Sequence, residues 1–398
     1  MKIAFVVPRY GTDFVGGAET ICREVAEHLR NKGVDVSVLT TCALDHITWD
    51  NSYKPGDYVI NSVPVKRFKV RDRDKKLYDE LLTKISSNQI LSKDEQISWI
   101  NNGVNSDEMY QYITNNINSF DFFIFIPYLF GTSYNGSLIC PDKSILIPCL
   151  HDENFAYLNI FKEMFEGCKG INFNSFPEKI LANRLYNIKN KSSTIIGTGF
   201  NTESGDKNRF KQMNQIYEDF ILYSGRIEEG KNAHLLVEFV GKYNKLNNTS
   251  LKLVLMGIGN MTIPSDIKKD VIKIGFKSGQ EKFDAYAAAA VLCQPSINES
   301  FSIVIMESWL CETPVLVHEN CAVTKYHCIE SNGGLYFKDY NDFEGCINFL
   351  LKNPLVREKM GKNGQKYVLK NYNWDRIAEK YLLFWRALSA NTPNTSHN

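Results

Sequence analysis

The chain has 398 residues, 23% charged and 43% apolar, with 46 Lys and Arg against 45 Asp and Glu. That length exceeds one typical hydrophobic core and predicts two domains, and a net charge of +1 gives no global field to attract nucleic acid. No apolar run approaches the roughly 20 residues of a membrane span, the opening MKIAFVVPRY reads as a buried strand and not an export signal, and ten cysteines without framework spacing suit a reducing cytoplasm.

Residues 2–7 are rich in β-branched and aromatic side chains and predict a first strand. A loop containing Gly16 and Gly17 follows. Residues 18–32 then carry Ile21, Val25 and Leu29 at helical spacing, with Gly33 as the closing residue. Residues 34–40 are a second strand, so the chain opens as β–loop–α–β, the start of a doubly wound sheet. Glycines at 16 and 17 let another group approach the backbone where a strand end meets a helix start; an ordinary glycine turn satisfies the same residues. Residues 66–76 hold seven bases and two acids. Such a run is expected to be a solvated face, with contact to anionic headgroups or an acceptor's diphosphate as the alternative. Its Asp72-Arg73-Asp74 has the form of a metal-binding DxD but does not follow a buried apolar strand, so no metal is expected there.

Residues 84–117 read as helical and polar, with Trp99 and Tyr110 exposed or half-buried. Residues 120–128 and 144–150 are apolar strands. His151-Asp152 stands at the end of the latter, where ligands collect in open α/β sheets. His151 there can donate to a sugar hydroxyl or stabilise developing charge; alternatively Asp152 caps the next helix. Residues 170–175 are a further strand and 177–185 a helix, and the Gly-, Asn-, Lys- and Ser-rich stretch to 214 predicts a linker. The second domain opens with the strand 220–224. Arg226 and Lys231 follow around a loop bearing Gly225 and Gly230, where a guanidinium fork and an ammonium can bracket a diphosphate; two surface bases near a helix start are the alternative. Strand 251–256 ends in Gly257-Ile258-Gly259, strand 271–276 follows, and 283–290 is a helix.

Residues 291–317, VLCQPSINESFSIVIMESWLCETPVLV, form a strand, a loop, a helix of two to three turns and another strand. Proline at 314 stops the helix. The first N–H groups of that helix lack internal partners and favour an anion. Glu299 precedes the helix and Glu307 lies about two turns on, on the order of 12 Å away. A ligand with a sugar, a diphosphate and a ribose fits those demands; a half-buried helix with one N-terminal and one exposed acid fits the spacing equally. Beyond it, His318, Cys321, His327 and Cys328 cluster with a spacing unlike known closed zinc sites. Residues 332–337 turn into a strand, and 340–388 are helical, broken at Pro354 and at 371–374.

Glu299, seven residues and Glu307, preceded by Pro295-Ser296 and followed by Thr313-Pro314-Val315, resemble the EX7E signature of family 4 glycosyltransferases, the glycosyl transferases group 1. The order of the glycine loop Gly-Gly-Ala-Glu, His-Asp, Gly-Arg with Lys, Gly-x-Gly, EX7E and a final helix is similar to that family along the whole chain. The family's usual Lys-Gly is Lys231-Asn232 here. The resemblance implies an α/β chain of GT-B fold, with two facing Rossmann-like doubly wound domains. The acceptor-binding domain is expected at 1–198 and the nucleotide-sugar-binding domain at 199–372. A C-terminal helix within 373–398 is expected to return to the first domain. It further implies that Arg226, Lys231 and the N–H groups of Ser302 and Ile303 hold the donor diphosphate. Gly16, Gly17, Gly257, Phe276 and Ser300 are implied donor neighbours. Glu307 is implied to bind ribose, and Glu299 and the Phe301 N–H the donor sugar, opposite His151. The catalytic set so implied is His151, Glu299, Arg226 and Lys231.

The activity implied by the same resemblance is that of a retaining hexosyltransferase with a front-face mechanism, no metal and no cofactor. UDP-glucose is the expected donor, from family usage. The expected acceptor is a glycan or lipid-linked saccharide of bacterial exopolysaccharide or envelope synthesis, reached in the cytoplasm at the inner membrane face, with peripheral membrane contact and no nucleic acid partner. Arg9, Tyr10, Trp49 and Tyr128 are the expected acceptor residues. A nucleotide-sugar epimerase of the same fold and a non-catalytic nucleotide-sugar-binding protein are the rival readings.

Overall fold

Near-continuous apolar segments such as Phe220–Ser224 cannot leave either face in water, so they form strands covered on both sides. The computed structural model describes residues 1–13 and 16–390. Phe14 and Val15 of the glycine loop, and residues 391–398 of the returning segment, lie outside the described residues. In chain order the elements begin β1 (Lys2–Val6), α1 (Gly17–Asn31), β2 (Asp35–Thr41), β3 (Gly56–Ile60), β4 (Val63–Phe68), α2 (Lys75–Ser86), α3 (Lys93–Asn101), α4 (Asp107–Asn115), β5 (Phe122–Phe125) and α5 (Gly131–Ile139). They continue β6 (Ser144–Leu146), α6 (Ile160–Gly167), β7 (Gly170–Phe173), α7 (Phe176–Leu185), β8 (Ser193–Ile195), α8 (Lys207–Asn214), β9 (Phe220–Ser224), α9 (Ala233–Asn247), β10 (Lys252–Met256) and β11 (Val271–Gly275). The chain ends α10 (Gly279–Ala288), β12 (Val291–Gln294), α11 (Ile303–Leu310), β13 (Val315–His318), α12 (Ala322–Ser331), β14 (Gly334–Phe337), α13 (Tyr340–Lys352), α14 (Pro354–Asn371) and α15 (Trp374–Ala390).

The chain divides into two units. Met1–Gly199 with the chain from Trp374 onward forms one, and Phe200–Asn373 the other. Each boundary lies one residue beyond the position read from sequence.

Among the described residues, the first unit holds an eight-stranded sheet ordered β3-β4-β2-β1-β5-β6-β7-β8, parallel except for the β3–β4 pair. Strand order reverses direction at β1 and β5. The final helix α15 belongs to this unit. Its Trp385 is fully buried and donates from Nε1 to Asn172 Oδ1 at 3.0 Å, and the Tyr381 hydroxyl donates to Gly197 O at 3.1 Å. Trp374 stacks on His28 of α1, with ring centroids 3.8 Å apart.

The basic run at 66–76 is a solvated face only in part: Lys69, Lys75 and Lys76 are exposed, but its arginines are engaged. Arg67 is buried, donating to Thr41 O and Tyr10 O with Tyr53 against its guanidinium. Arg71 bonds Asp107, and Arg73 bonds Ile47 O and Thr48 O. Asp74 of the DxD-like triplet caps α2 by accepting from Leu77 N–H. Trp99 also departs from expectation: it is buried, stacked between Tyr78 and Phe155.

Among the described residues, the second unit holds a six-stranded parallel sheet ordered β11-β10-β9-β12-β13-β14. Its order reverses at β9 and β12. The stretch to 214 is not wholly a linker. It contains α8, capped by Asp206 and held by the Arg209 guanidinium on the buried Asp284 of α10. Phe210 is the residue of α8 that is buried, so the segment reads as polar. No described helix is long and apolar enough to cross a membrane.

Candidate active site

Every strand of the second sheet runs in the same direction, so the loops after β9, β10, β11 and β12 share its C-terminal edge. Arg226 follows β9, Gly257 follows β10, Phe276 follows β11, and Glu299 to Ile303 follow β12. The pair β9 and β12 is the point where strand order reverses, which is where open α/β sheets form a ligand crevice. Arg226 and Lys231 therefore sit on one side of that point, and Glu299 on the other.

The loops are tied to one another by main-chain bonds. Gly225 N–H donates to Met256 O, Ile227 N–H to Ile258 O, and Gly257 N–H to Gly275 O, at 2.8–3.0 Å. Gly257 has φ +154, and a Cβ there would run into the carbonyl oxygen of Gly225, so no side chain fits between the first two loops. The Tyr223 hydroxyl donates to Arg226 O, fixing the main chain from which the guanidinium projects. That guanidinium is about half exposed and pairs with Glu228 at 3.2 Å.

Lys231 lies in a single 3-10 turn before α9. Asn232, where the family's glycine would stand, takes φ +54, and its amide donates to Pro295 O at 3.1 Å. Asparagine is among the few side chains that adopt this left-handed conformation readily, so the turn that presents Lys231 is kept. Lys231 Nζ donates to Glu299 Oε1 at 2.7 Å and to Asn298 O at 3.2 Å. The expected diphosphate cation and the expected sugar-binding acid are thus in direct contact.

Ser302 is the residue before α11, with φ +69, a strained position for a serine. Among the described residues no side chain caps α11, and the buried Ser302 Oγ has no partner. An uncapped helix start presents free N–H groups. Phe301 is buried against Phe200, His327 and Tyr372, and Ser300 is buried beside it. Ile303 is part-exposed at the first turn. Phe276 is about half exposed.

Glu307 is not an exposed acid. Its Oε1 accepts from Lys282 Nζ at 2.6 Å and its Oε2 from the Tyr286 hydroxyl at 3.0 Å. Tyr286 in turn meets Ser224 Oγ at 2.9 Å. Sequence reasoning misses Lys282 because it starts the helix at 283, and misses Tyr286 because its partner Glu307 lies 21 residues on. The helix begins at Gly279, which puts these two residues one turn apart on the same face of α10.

The remaining sequence-predicted residues lie in the first unit. Gly16 precedes α1 and Gly17 opens it. A Cβ on Gly16 would collide with the carboxylate of Glu19, which holds the Arg9 guanidinium, so glycine there accommodates an ion pair. Gly17 faces open space. His151 is part-exposed, with Nδ1 3.7 Å from Glu153 Oε1. Asp152 does not cap a helix. It accepts from the Tyr157 hydroxyl at 2.6 Å and from Arg184 at 2.7 Å. Partial burial pushes its carboxyl up, but these two donors hold it below the usual range.

Glu178 is a second residue that sequence reasoning misses. It is fully buried and accepts from Leu150 N–H at 2.7 Å and Asn174 N–H at 2.5 Å, clamping the residue before His151 to the end of β7. Burial pushes its carboxyl up to about 8 against the N–H groups of Leu150, Asn174 and Ser175. No local pattern marks it, since it reads as a helix-start acid.

Tyr10, Trp49 and Tyr128 are buried in the core, and Arg9 is engaged by Glu19 and Leu44 O. These four do not form the expected acceptor surface. His318, Cys321, His327 and Cys328 do not converge either. Among the described residues no group of three or more His, Cys, Asp or Glu side chains is arranged to hold a metal ion.

Residues 205–380 match the model for glycosyl transferases group 1. The chain carries a group 1 glycosyltransferase domain. The chain as a whole is 25% identical over 406 positions, 96% of each chain, to an uncharacterized glycosyltransferase of Methanocaldococcus jannaschii. Among solved structures, it is similar to sucrose-phosphate synthase from Thermosynechococcus elongatus, with a TM-score of 0.73 at 17% identity over 98% of this chain and 100% of that one. It is also similar to Anabaena Alr3699/HepE in complex with UDP-glucose, with a TM-score of 0.69 at 13% identity over 98% and 100%. The fold is GT-B, and the matched family implies a nucleotide-sugar donor and a saccharide acceptor.

Proposed function

We propose that the glycosyltransferase moves glucose from UDP-glucose to a glycan or lipid-linked saccharide with retention at the anomeric carbon. The observation that carries this reading is the gathering of Arg226, Lys231, Glu299 and the uncapped start of α11 at the strand-order reversal of one sheet. The structural similarity to a chain solved with UDP-glucose supports the donor.

In this reading the diphosphate lies on Arg226, Lys231 and the N–H groups of Ser302 and Ile303. Lys231 keeps hydrogens on Glu299 Oε1 and Asn298 O and turns its third to phosphate, while Glu299 accepts from a sugar hydroxyl. Glu307 takes the ribose. Negative charge that develops on the departing UDP meets fixed cations and dipoles, which lowers the barrier without reorganisation. The departing phosphate oxygen accepts the acceptor's proton as the new bond forms on the same face. Gly16, Gly17, Gly257, Phe276, Ser300 and Phe301 keep the neighbouring roles that the resemblance implies, as does His151 toward the sugar. The chemistry as proposed uses no metal. The acceptor belongs to bacterial envelope or exopolysaccharide synthesis, at the cytoplasmic membrane face.

A UDP-release assay over a panel of donors, with and without acceptor extract, tests the reading. Release is expected with UDP-glucose, stimulated by acceptor, and Arg226→Ala or Lys231→Ala is expected to lower it by about 10²–10³-fold. Turnover of a nucleotide sugar that is indifferent to both substitutions, or interconversion of sugars without acceptor, refutes it.

A further inference from the structure

The carboxylate of Glu307 is held by two donors from one helix face. Lys282 Nζ reaches Oε1 and the Tyr286 hydroxyl reaches Oε2. Burial pushes the Tyr286 phenol well above its usual range, so it stays protonated and donates; its oxygen then accepts from Ser224, the residue before the Gly225-Arg226 loop. The series Ser224–Tyr286–Glu307–Lys282 therefore links the end of β9 to α11. An ionised carboxylate offers about four lone-pair sites. Two are used by α10, one on each oxygen, which leaves one on each oxygen for a ligand. Two acceptor sites a carboxylate's width apart match the two hydroxyls of a vicinal cis-diol.

Lys282 itself has hydrogens to spare. An ammonium carries three donors, and the structure commits one to Glu307. The stem packs with Nζ 4.9 Å from the Phe283 ring centroid, and the side chain remains about a quarter exposed. The head is thus confined beside Glu307 Oε1 with donors left over. A diol hydroxyl that donates to Oε1 has an oxygen lone pair within reach of the same ammonium.

We propose that Lys282 is a specificity-determining residue that, with Glu307, reads the cis-diol of a ribonucleoside diphosphate, so that the glycosyltransferase discriminates against deoxyribose donors. This rests on the reading above that Glu307 faces the donor ribose. With the ammonium present, each diol hydroxyl donates to Glu307, and the one at Oε1 also accepts from Lys282. Without it, Glu307 retains Tyr286 on one oxygen alone and the carboxylate is free to turn.

Calorimetric titration of the full chain with UDP, 2′-deoxy-UDP and 3′-deoxy-UDP tests this. Wild type should bind UDP more tightly than at least one deoxy analogue. Lys282→Met should weaken UDP about tenfold, a charge-assisted hydrogen bond's worth, and leave that analogue nearly unchanged, so that the ratio collapses. Lys282→Arg should restore part of it. Lys282→Gln, which keeps a neutral polar end on a shorter stem, supplies the same comparison should the methionine variant fold poorly. If Lys282→Met and Lys282→Gln keep the wild-type ratio while Glu307→Gln abolishes it, the role of Lys282 is refuted and the donor reading stands. If Glu307→Gln leaves UDP binding intact, the donor reading itself fails, and this inference with it.

Discussion

Among the described residues, His327 is the most deeply buried imidazole. It is fully buried on α12 between Phe301, Tyr367 and Tyr372, with Nδ1 2.9 Å from the Tyr367 hydroxyl. Burial pushes it down to about 3 from 6.5. As pH falls through 6.5 the unfolded chain takes up a proton that the native state refuses, so stability is complete above that pH and is lost on acidification toward 3. Between about pH 7 and about pH 5 the loss from this one group is about 2 kcal/mol. Denaturant melts of the wild type are expected to show that decline. In His327→Asn, which keeps a polar atom near the Nδ1 position, the dependence on pH should flatten even though the variant is less stable throughout. A slope unchanged by the substitution contradicts this account. At the same scale, the environment of Lys282 and Glu178 was unreadable from sequence because each takes its partners from a distant segment. The left-handed Asn232 was legible as a departure from Lys-Gly, although its bond to Pro295 O was not.

Elements whose apolar faces are long were legible, and elements held by a few polar clamps were not. The strands β9, β10 and β12 are buried along nearly their whole length and stand out as apolar runs. Helix α8 buries Phe210 alone and otherwise depends on Asp206 and Arg209, so its sequence looks like a linker. Charge counting misled in part at 66–76, because Lys66, Arg67, Arg71 and Arg73 have main-chain carbonyl or carboxylate partners that sequence cannot supply. Helix α15 shows the opposite case. Its aromatic spacing is plain, and its fully buried Trp385 and Tyr381 dock on the first unit's strands. Trp385→Ala should cost about 3–5 kcal/mol. That loss should appear in a calorimetric scan as a lowered first-unit transition, with the second unit's transition unmoved. A shift of both by the same amount would show that the helix does not belong energetically to one unit.

At the scale of the whole chain, the order of loops along two doubly wound sheets was readable because each loop sits between two strong strand signals. Contacts between sequence-distant loops, such as Lys231 with Glu299, were not, since they depend on which strands lie side by side. The second unit is one uninterrupted segment, and its ends meet. Phe200 bridges Asn373 in parallel, with Phe200 N–H donating to Tyr372 O at 2.7 Å. The first unit is by contrast made of two segments. A fragment of residues 200–373 is therefore expected to fold alone, with a cooperative melt and mixed α/β circular dichroism, and to bind UDP. Residues 1–199 without α15 should remain unfolded or aggregate, because Asn172, Gly197 and the buried aromatic contacts lose their cover. A well-folded 1–199 fragment would contradict the assignment of α15.

The meeting of Phe200 with Asn373 also bears on descent. A genetic exchange with breakpoints at those two codons carries both bridging residues, and the whole second unit, together. The segment between the breakpoints is therefore a natural unit of inheritance, closed on itself at both ends.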